Sequence, residues 1–206
     1  MKPQELDRFE VRLSGLGGQG ILTLGKVMGS GLALGHGYNV TQTQSYGPEA
    51  RGGASRSDLV VSSQQISYPK AESVDLLIAL SQEACNMYYR NLKTGGLLVV
   101  ESDLVKQPPV NMYLGLPFTA LAKEKIGLVQ TMNTIVLGAV TYLLPFAKQT
   151  TMKNNLEKIL PEKIRAINVK AFNLGFREAK KKFGDPETLW KKWVIQPDHS
   201  DDEDSI

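Results

Sequence analysis

Residues 9–34 read FEVRLSGLGGQGILTLGKVMGSGLAL, and the periodicity changes in the middle of the stretch. Phe9, Val11 and Leu13 alternate with Glu10, Arg12 and Ser14, the period-two pattern of a strand. The glycine-rich segment Gly15–Gly20 follows at once. From Ile21 to Leu34 the period is helical, with Ile21, Leu24, Met28 and Leu32 along one face. Gly25 and Gly29 stand one turn apart and let that helix approach a sheet closely, and Gly35 and Gly37 stop it. Strand, tight glycine turn and amphipathic helix make the first half of a βαβ unit.

The pattern continues outward. Asn39–Gln44, Asp58–Ser62, Val74–Leu80, Leu97–Val100 and Met112–Leu114 read as further strands. Val74–Leu80 is nearly all apolar, as in a strand covered on both faces. Ser81 is placed to cap a helix running to about Leu92, with Glu83 in its first turn. Beyond it the helical segments are Thr119–Ile126, Thr134–Leu144, Lys153–Leu160 and Ala171–Phe183, with Pro161 and Pro186 as breaks. The expected fold class is α/β: a mostly parallel sheet with helices on both faces, Rossmann-like, and a helical C-terminal portion. Residues 1–184 are read as one domain and 185–206 as a C-terminal tail.

Composition narrows the function. A hydrophobic content of 42% fits a packed core. A net charge of +3 is too mild to argue for nucleic acid. The charge is uneven: Lys180, Lys181 and Lys182 precede a terminus holding Asp198, Asp201, Asp202, Glu203 and Asp204. That reads as a solvated helix end and an acidic tail, or as a basic strip for an acidic partner. The single cysteine, Cys85, cannot form a disulfide within the chain, and an iron–sulfur cluster needs about four thiolates. It reads as a small buried hydrophobe. Charges at Lys2, Glu5, Asp7, Arg8 and Glu10 leave no signal-peptide pattern, so the cytoplasm is expected. Gly127–Ala147 carries no charge, yet Gln130, Thr131, Asn133, Thr134, Thr141 and Pro145 interrupt it; a buried helix fits better than a membrane span. His36 and His199 are too few for a metal site, and His36, between two glycines, reads as a neutral turn residue. Trp190 and Trp193 read as one face of a short helix, docking on this domain or on a partner.

Gly15, Gly17 and Gly20 fit G-x-G-x-x-G in the strand-to-helix context the motif needs, and Gly18 and Gln19 complete the loop. Such a loop presents free helix N–H groups to an anion, or else only makes the turn. A nicotinamide cofactor would ask for an acid after the second strand. That region reads Thr41-Gln42-Thr43-Gln44, and no acid appears before Glu49. No Lys-Ser or Lys-Thr closes a kinase-type phosphate loop. A second loop gathers Tyr46, Glu49, Arg51, Gly52 and Gly53 within a few residues. Arg51 offers a planar fork to carboxylate or phosphate, and Arg56 adds a second cation. The competing reading is an internal ion pair from Glu49 bracing a long loop.

These segments, Gly15–Gly20, Gln42–Gly53 and Ile66-Ser67-Tyr68-Pro69, resemble the gamma subunit of 2-oxoacid:ferredoxin oxidoreductases, as do Asp75–Leu80 and Gly95-Gly96. The resemblance spans about residues 9–145. The form of the second loop is most similar to the 2-oxoglutarate type. The resemblance implies a complex in which a 2-oxoacid is decarboxylated on thiamine diphosphate, electrons pass through iron–sulfur clusters to ferredoxin, and coenzyme A takes the acyl group. The sequence shows no G-D-G…N thiamine signature and no cysteine set, so those cofactors fall to partner alpha, beta and delta chains. No residue is assigned a catalytic or metal-binding role. The glycine loop together with Tyr46, Glu49, Arg51, Gly52 and Gly53 is the expected wall of a coenzyme A site, with neither a nucleic acid nor a membrane as partner. Two alternatives stay open: a stand-alone Rossmann-like nucleotide-binding enzyme, or a gamma subunit serving pyruvate, branched-chain oxoacids or indolepyruvate.

Overall fold

The computed structural model describes residues 3–45, 54–110 and 112–194, with the side chains of 192–194 outside that description. Six strands form one sheet: β1 (Phe9–Gly15), β2 (Asn39–Ser45), β3 (Ser55–Ser62), β4 (Val74–Ala79), β5 (Leu92–Glu101) and β6 (Leu114–Leu116). Their spatial order is β2-β3-β1-β4-β5-β6. β4 pairs parallel to β1, β5 to β4 and β6 to β5. β3 runs antiparallel to both of its neighbours. The sheet is therefore mostly parallel, and its one reversed strand has a simple cause. Only nine residues join β2 to β3, too few for a helical crossover, so the pair closes as a hairpin.

The period-two pattern of β1 sorts its side chains between two cores. Val11 and Leu13 enter the larger one, with Leu59, Leu76, Ile78, Leu97 and Val99. It lies under α1 (Ile21–Ser30, continued by a wider π-type turn at Gly31–Gly35), α3 (Phe118–Leu121), α4 (Met132–Leu143), α5 (Gln149–Ile159) and α6 (Glu162–Phe183). Gly25 lets α1 lie on the sheet, because a Cβ there would collide with Ser57 Oγ. The opposite face carries a smaller core, with Val60, Leu77, Leu98 and Val100 under α2 (Gln82–Tyr88). Ser81 caps α2 by accepting from the Ala84 N–H at 3.2 Å. The uncharged segment forms the buried α4, and no helix of the described residues is long and apolar enough to cross a membrane.

Some boundaries differ from expectation. The sixth strand lies at Leu114–Leu116 rather than Met112–Leu114. α6 begins at Glu162, well before Ala171, and its first turns are largely exposed. α7 (Pro186–Val194) docks on the domain: Trp190 Nε1 donates to Leu143 O at 2.7 Å, and its ring meets the edge of Phe9 at 5.5 Å. Lys180, Lys181 and Lys182 stand exposed in the last turn of α6, where cations suit the helix dipole. The acidic residues from Asp198 onward lie outside the described residues.

Candidate functional site

The carboxyl end of β1 is where the topology turns: the chain leaves it toward β2 on one side and later returns to β4 on the other. Ligands of open α/β sheets bind at such switch points. Gly15–Gly20 fills this place. Gly18 and Gly20 take the left-handed backbone conformation, with φ of 85° and 73°. A Cβ at Gly15 would collide with Gln19 Oε1. Gln19 itself ties the loop down, since Oε1 accepts from the Leu16 N–H at 2.7 Å and Nε2 donates to Leu80 O at 2.9 Å. A Cβ at Gly17 would meet nothing, so that position faces open space.

α1 starts from Gly20 with no side-chain cap and no acid in its first turn. Its first N–H groups and the positive end of its dipole are thus offered outward. In front of them is a cleft of about 380 Å³, lined by Gly18, Gln19, Gly20, Thr119, Gln130 and Asn133, with Leu104 and Val129 at its rim. The far wall is held by Glu101. This fully buried carboxylate at the end of β5 accepts from the Thr119 N–H at 2.7 Å, the Thr119 hydroxyl at 2.8 Å and the Asp103 N–H at 3.1 Å.

Tyr46, Glu49, Arg51, Gly52 and Gly53 lie outside the described residues. The feet of their loop are placed, however. Ser45 pairs with Arg56, and Gly15 pairs with Ser55, so both loops spring from the same sheet edge, one strand apart. Arg56 turns to the α2 face, 3.8 Å from Asp58 Oδ2 and over the Tyr88 ring at 5.8 Å. It does not line the cleft.

Two further expectations gain geometry. His36 Nε2 accepts from the Lys148 N–H at 2.7 Å while Nδ1 lies 2.9 Å from Gly31 O. An amide can only donate and a carbonyl only accept, so the ring is neutral with its proton on Nδ1. Cys85 is fully buried, and burial pushes its thiol up to about 11. Among the described residues no group of three His, Cys, Asp or Glu side chains is placed to hold a metal ion.

Sequence reasoning missed Thr119, Gln130, Asn133 and Glu101. Three of them stand out in the sequence, but nothing there brings them to the glycine loop. Gln130 and Asn133 are polar interruptions of an uncharged stretch, and Glu101 is a lone acid ending an apolar strand.

The dinucleotide alternative loses its geometry here. In that fold the second strand lies beside the first, whereas here β3 stands between β1 and β2. At about 4.8 Å per strand, the end of β2 is roughly 10 Å from β1, out of reach of a ribose held at the glycine loop.

Residues 10–178 match the family described as pyruvate ferredoxin/flavodoxin oxidoreductase. A 2-oxoglutarate synthase subunit, KorC, of Methanocaldococcus jannaschii is 41% identical over 177 residues, covering 84% of this chain and 95% of that one. The gamma subunit of keto/oxoacid ferredoxin oxidoreductase from Geobacter sulfurreducens is 35% identical with a TM-score of 0.78, over 85% of this chain and 98% of that one. The 2-oxoglutarate:ferredoxin oxidoreductase of Magnetococcus marinus, solved with 2-oxoglutarate, coenzyme A and succinyl-CoA bound, has the same fold within a longer chain. Its TM-score is 0.76 at 24% identity, over 88% of this chain and 33% of that one. A family match along most of the chain, together with a shared fold at 35% identity, leads to one conclusion: the chain belongs to the pyruvate ferredoxin/flavodoxin oxidoreductase family.

Proposed function

We propose that this chain is the gamma subunit of a cytoplasmic 2-oxoglutarate:ferredoxin oxidoreductase and forms one wall of its coenzyme A site. The observation that carries the reading is the 41% identity extending over 95% of a 2-oxoglutarate synthase subunit. The site geometry supports it. An uncapped helix N-terminus facing a cleft suits the diphosphate of coenzyme A.

In this reading the first-turn N–H groups of α1 receive phosphate oxygens, and Gln19 holds the loop in the shape that presents them. Glu101 fixes Thr119 on the opposite wall. The exposed Leu104 and Val129 at the rim meet the partner chains. Thiamine diphosphate and iron–sulfur clusters in the alpha, beta and delta partners supply decarboxylation and electron transfer to ferredoxin. With one cysteine, this chain is not suited to hold such a cluster by itself.

The test is reconstitution. The purified chain alone is expected to reduce no viologen acceptor, while the complex with alpha and beta does so given 2-oxoglutarate and coenzyme A. In that complex, coenzyme A slows amide hydrogen exchange in residues 15–24. Turnover by the lone chain, a preference for pyruvate, or unchanged exchange at 15–24 would each overturn the part of the proposal it addresses.

A further inference from the structure

The two edges of the sheet are built differently. β6 has three residues, Leu114–Leu116. β2 has seven, Asn39–Ser45, with no charge, proline or glycine among them, and its register with β3 is unbroken. Exposed edges are usually blunted by shortness, charge, proline or a bulge. β2 uses none of these. The ladder decides which of its groups face outward. The Leu80 N–H donates to Ser14 O at 2.9 Å, so Arg12 and Ser14 turn their main-chain groups toward β4. Val11, Leu13 and Gly15 therefore bond to Leu59, Ser57 and Ser55 of β3. That leaves Asp58 and Val60 to bond to Thr43 and Thr41 of β2. The main-chain N–H and C=O groups of Val40, Gln42 and Gln44 point away from the sheet, and no other backbone group of the described residues takes them.

We propose that two copies of this chain join through their β2 strands, antiparallel about a twofold axis at Gln42. Self-complementarity selects a second copy as the occupant. Centred there, Gln42 faces its own counterpart and Val40 faces Gln44 of the second copy, so all the outward residues exchange both main-chain bonds. Thr41 falls opposite Thr43 of the second copy in the closer, non-hydrogen-bonded pairing, a favourable match with no like charges opposed. The helix above fits as well. Gly25 of α1 lies against Ser57 of β3 and Gln42 of β2 alike, so α1 runs between those strands. At about 4.8 Å per strand, the two α1 helices stand about 10 Å apart, the spacing of packed helices. Lys26, the one charged residue of α1, is exposed and follows Gly25, so added salt should tighten the pairing. The joined strands run in opposite directions. They send the two glycine loops to opposite ends of one continuous sheet and leave both clefts open, so the pairing does not depend on coenzyme A binding there.

The purified full chain is expected to sediment as a dimer at micromolar concentration, more firmly at high salt. Gln44→Pro removes an outward N–H from each strand without touching the β3 ladder. It should raise the dimer dissociation constant about tenfold or more and leave the circular dichroism spectrum unchanged. Cysteine pairing reads the register. Thr41→Cys and Thr43→Cys chains, differently tagged and co-expressed, should form a disulfide under mild oxidation, while Thr41→Cys chains alone should not. The native Cys85 is fully buried and stays out of the reaction. A monomeric chain, a dimer indifferent to Gln44→Pro, or Thr41→Cys chains that link to one another as readily as to Thr43→Cys would each overturn the proposal. So would a monomer whose β2 amides gain exchange protection only when alpha and beta chains are added, which would give the edge to a partner's strand. If the cysteine variants fold poorly, sedimentation of the unaltered chain and of Gln44→Pro decides alone.

Discussion

On one face of the sheet, Leu13, Leu59, Leu76, Ile78, Leu97 and Val99 are fully buried under a layer of helices. On the other face, one residue along each strand, Arg12 and Asp58 lie side by side, 2% and 4% exposed. Arg12 reaches Asp58 through Nε at 2.8 Å and through Nη2 at 2.9 Å, Asn91 Oδ1 through Nη1 at 2.8 Å, and Ala71 O at 3.3 Å. Its guanidinium also lies over the Tyr88 ring at 5.1 Å. The difference follows from what covers each face. Long helices can seal a face with hydrocarbon alone. A seven-residue helix and irregular loops cannot, and their backbone groups need directed partners. A planar cation with several donors joins β1, β3, the end of α2 and the loop before β4 at one point. That defines the arrangement more than it stabilises it.

Breaking the ion pair tests this most directly. Asp58→Leu leaves Arg12 buried and uncompensated, and is expected to cost about 3–5 kcal/mol in urea denaturation. Arg12→Met combined with Asp58→Leu should recover most of that loss. A single substitution costing under about 1 kcal/mol would mean that water already reaches the pair.

The two faces were not equally legible. The helix-covered face announced itself in residues 9–34, because period two, a glycine turn and period 3.6 follow one another without interruption. The α1–sheet contact was likewise visible in Gly25 and Gly29. The Arg12–Asp58 pair was not. Arg12 stands at a polar position of an alternating strand, and alternation alone cannot distinguish a polar side chain facing water from one facing a buried partner 46 residues away. The cleft shows the same limit. Its glycine wall is local and was readable. Its far wall comes from Thr119, Gln130 and Asn133, which reach the glycine loop only through tertiary packing. The start of α5 is similar: Thr150 and Thr151 are weak helix formers and Gln149 carries no apolar signal, and the Lys148 N–H before them is held by His36 across the fold.

The helix-covered face has its own sensitive point, one layer out. Gly138 of α4 lies so close to α6 that a Cβ would collide with the Phe172 carbonyl, and Gly175 of α6 bears the same relation to Ile135 of α4. Both neighbours are helix backbone, so neither can move by a rotamer change. Gly138→Ala is expected to destabilise the chain by about 3 kcal/mol, the upper end of ordinary overpacking. By contrast, Gly29→Ala meets only side-chain atoms, Leu59 Cδ2 at 3.2 Å and Val40 Cγ1 at 3.6 Å, and should cost far less. Equal losses for the two in thermal melting would mean that α4 and α6 can separate freely, and that this face is less tightly fixed than its glycines indicate.

The smallest expected effect belongs to Cys85, and it asks whether the thinner cover on the α2 face still excludes water. The thiol, on the sheet-facing side of α2, is fully buried, and burial raises it to about 11. The folded chain therefore keeps the proton at pH values where the unfolded chain has released it. The resulting contribution to stability is whole below about pH 9 and is lost as pH rises toward about 11. At pH 8 the folded thiol should resist iodoacetamide, with alkylation following the rate of unfolding rather than reagent concentration. Rapid alkylation that scales with reagent would show that α2 opens locally. The Arg12–Asp58 network beside it would then be hydrated part of the time, and the cost of Asp58→Leu would fall accordingly. Slow alkylation joined to a large Asp58→Leu penalty would place the two faces on equal terms in dryness, one sealed by helices and the other by a single well-partnered arginine.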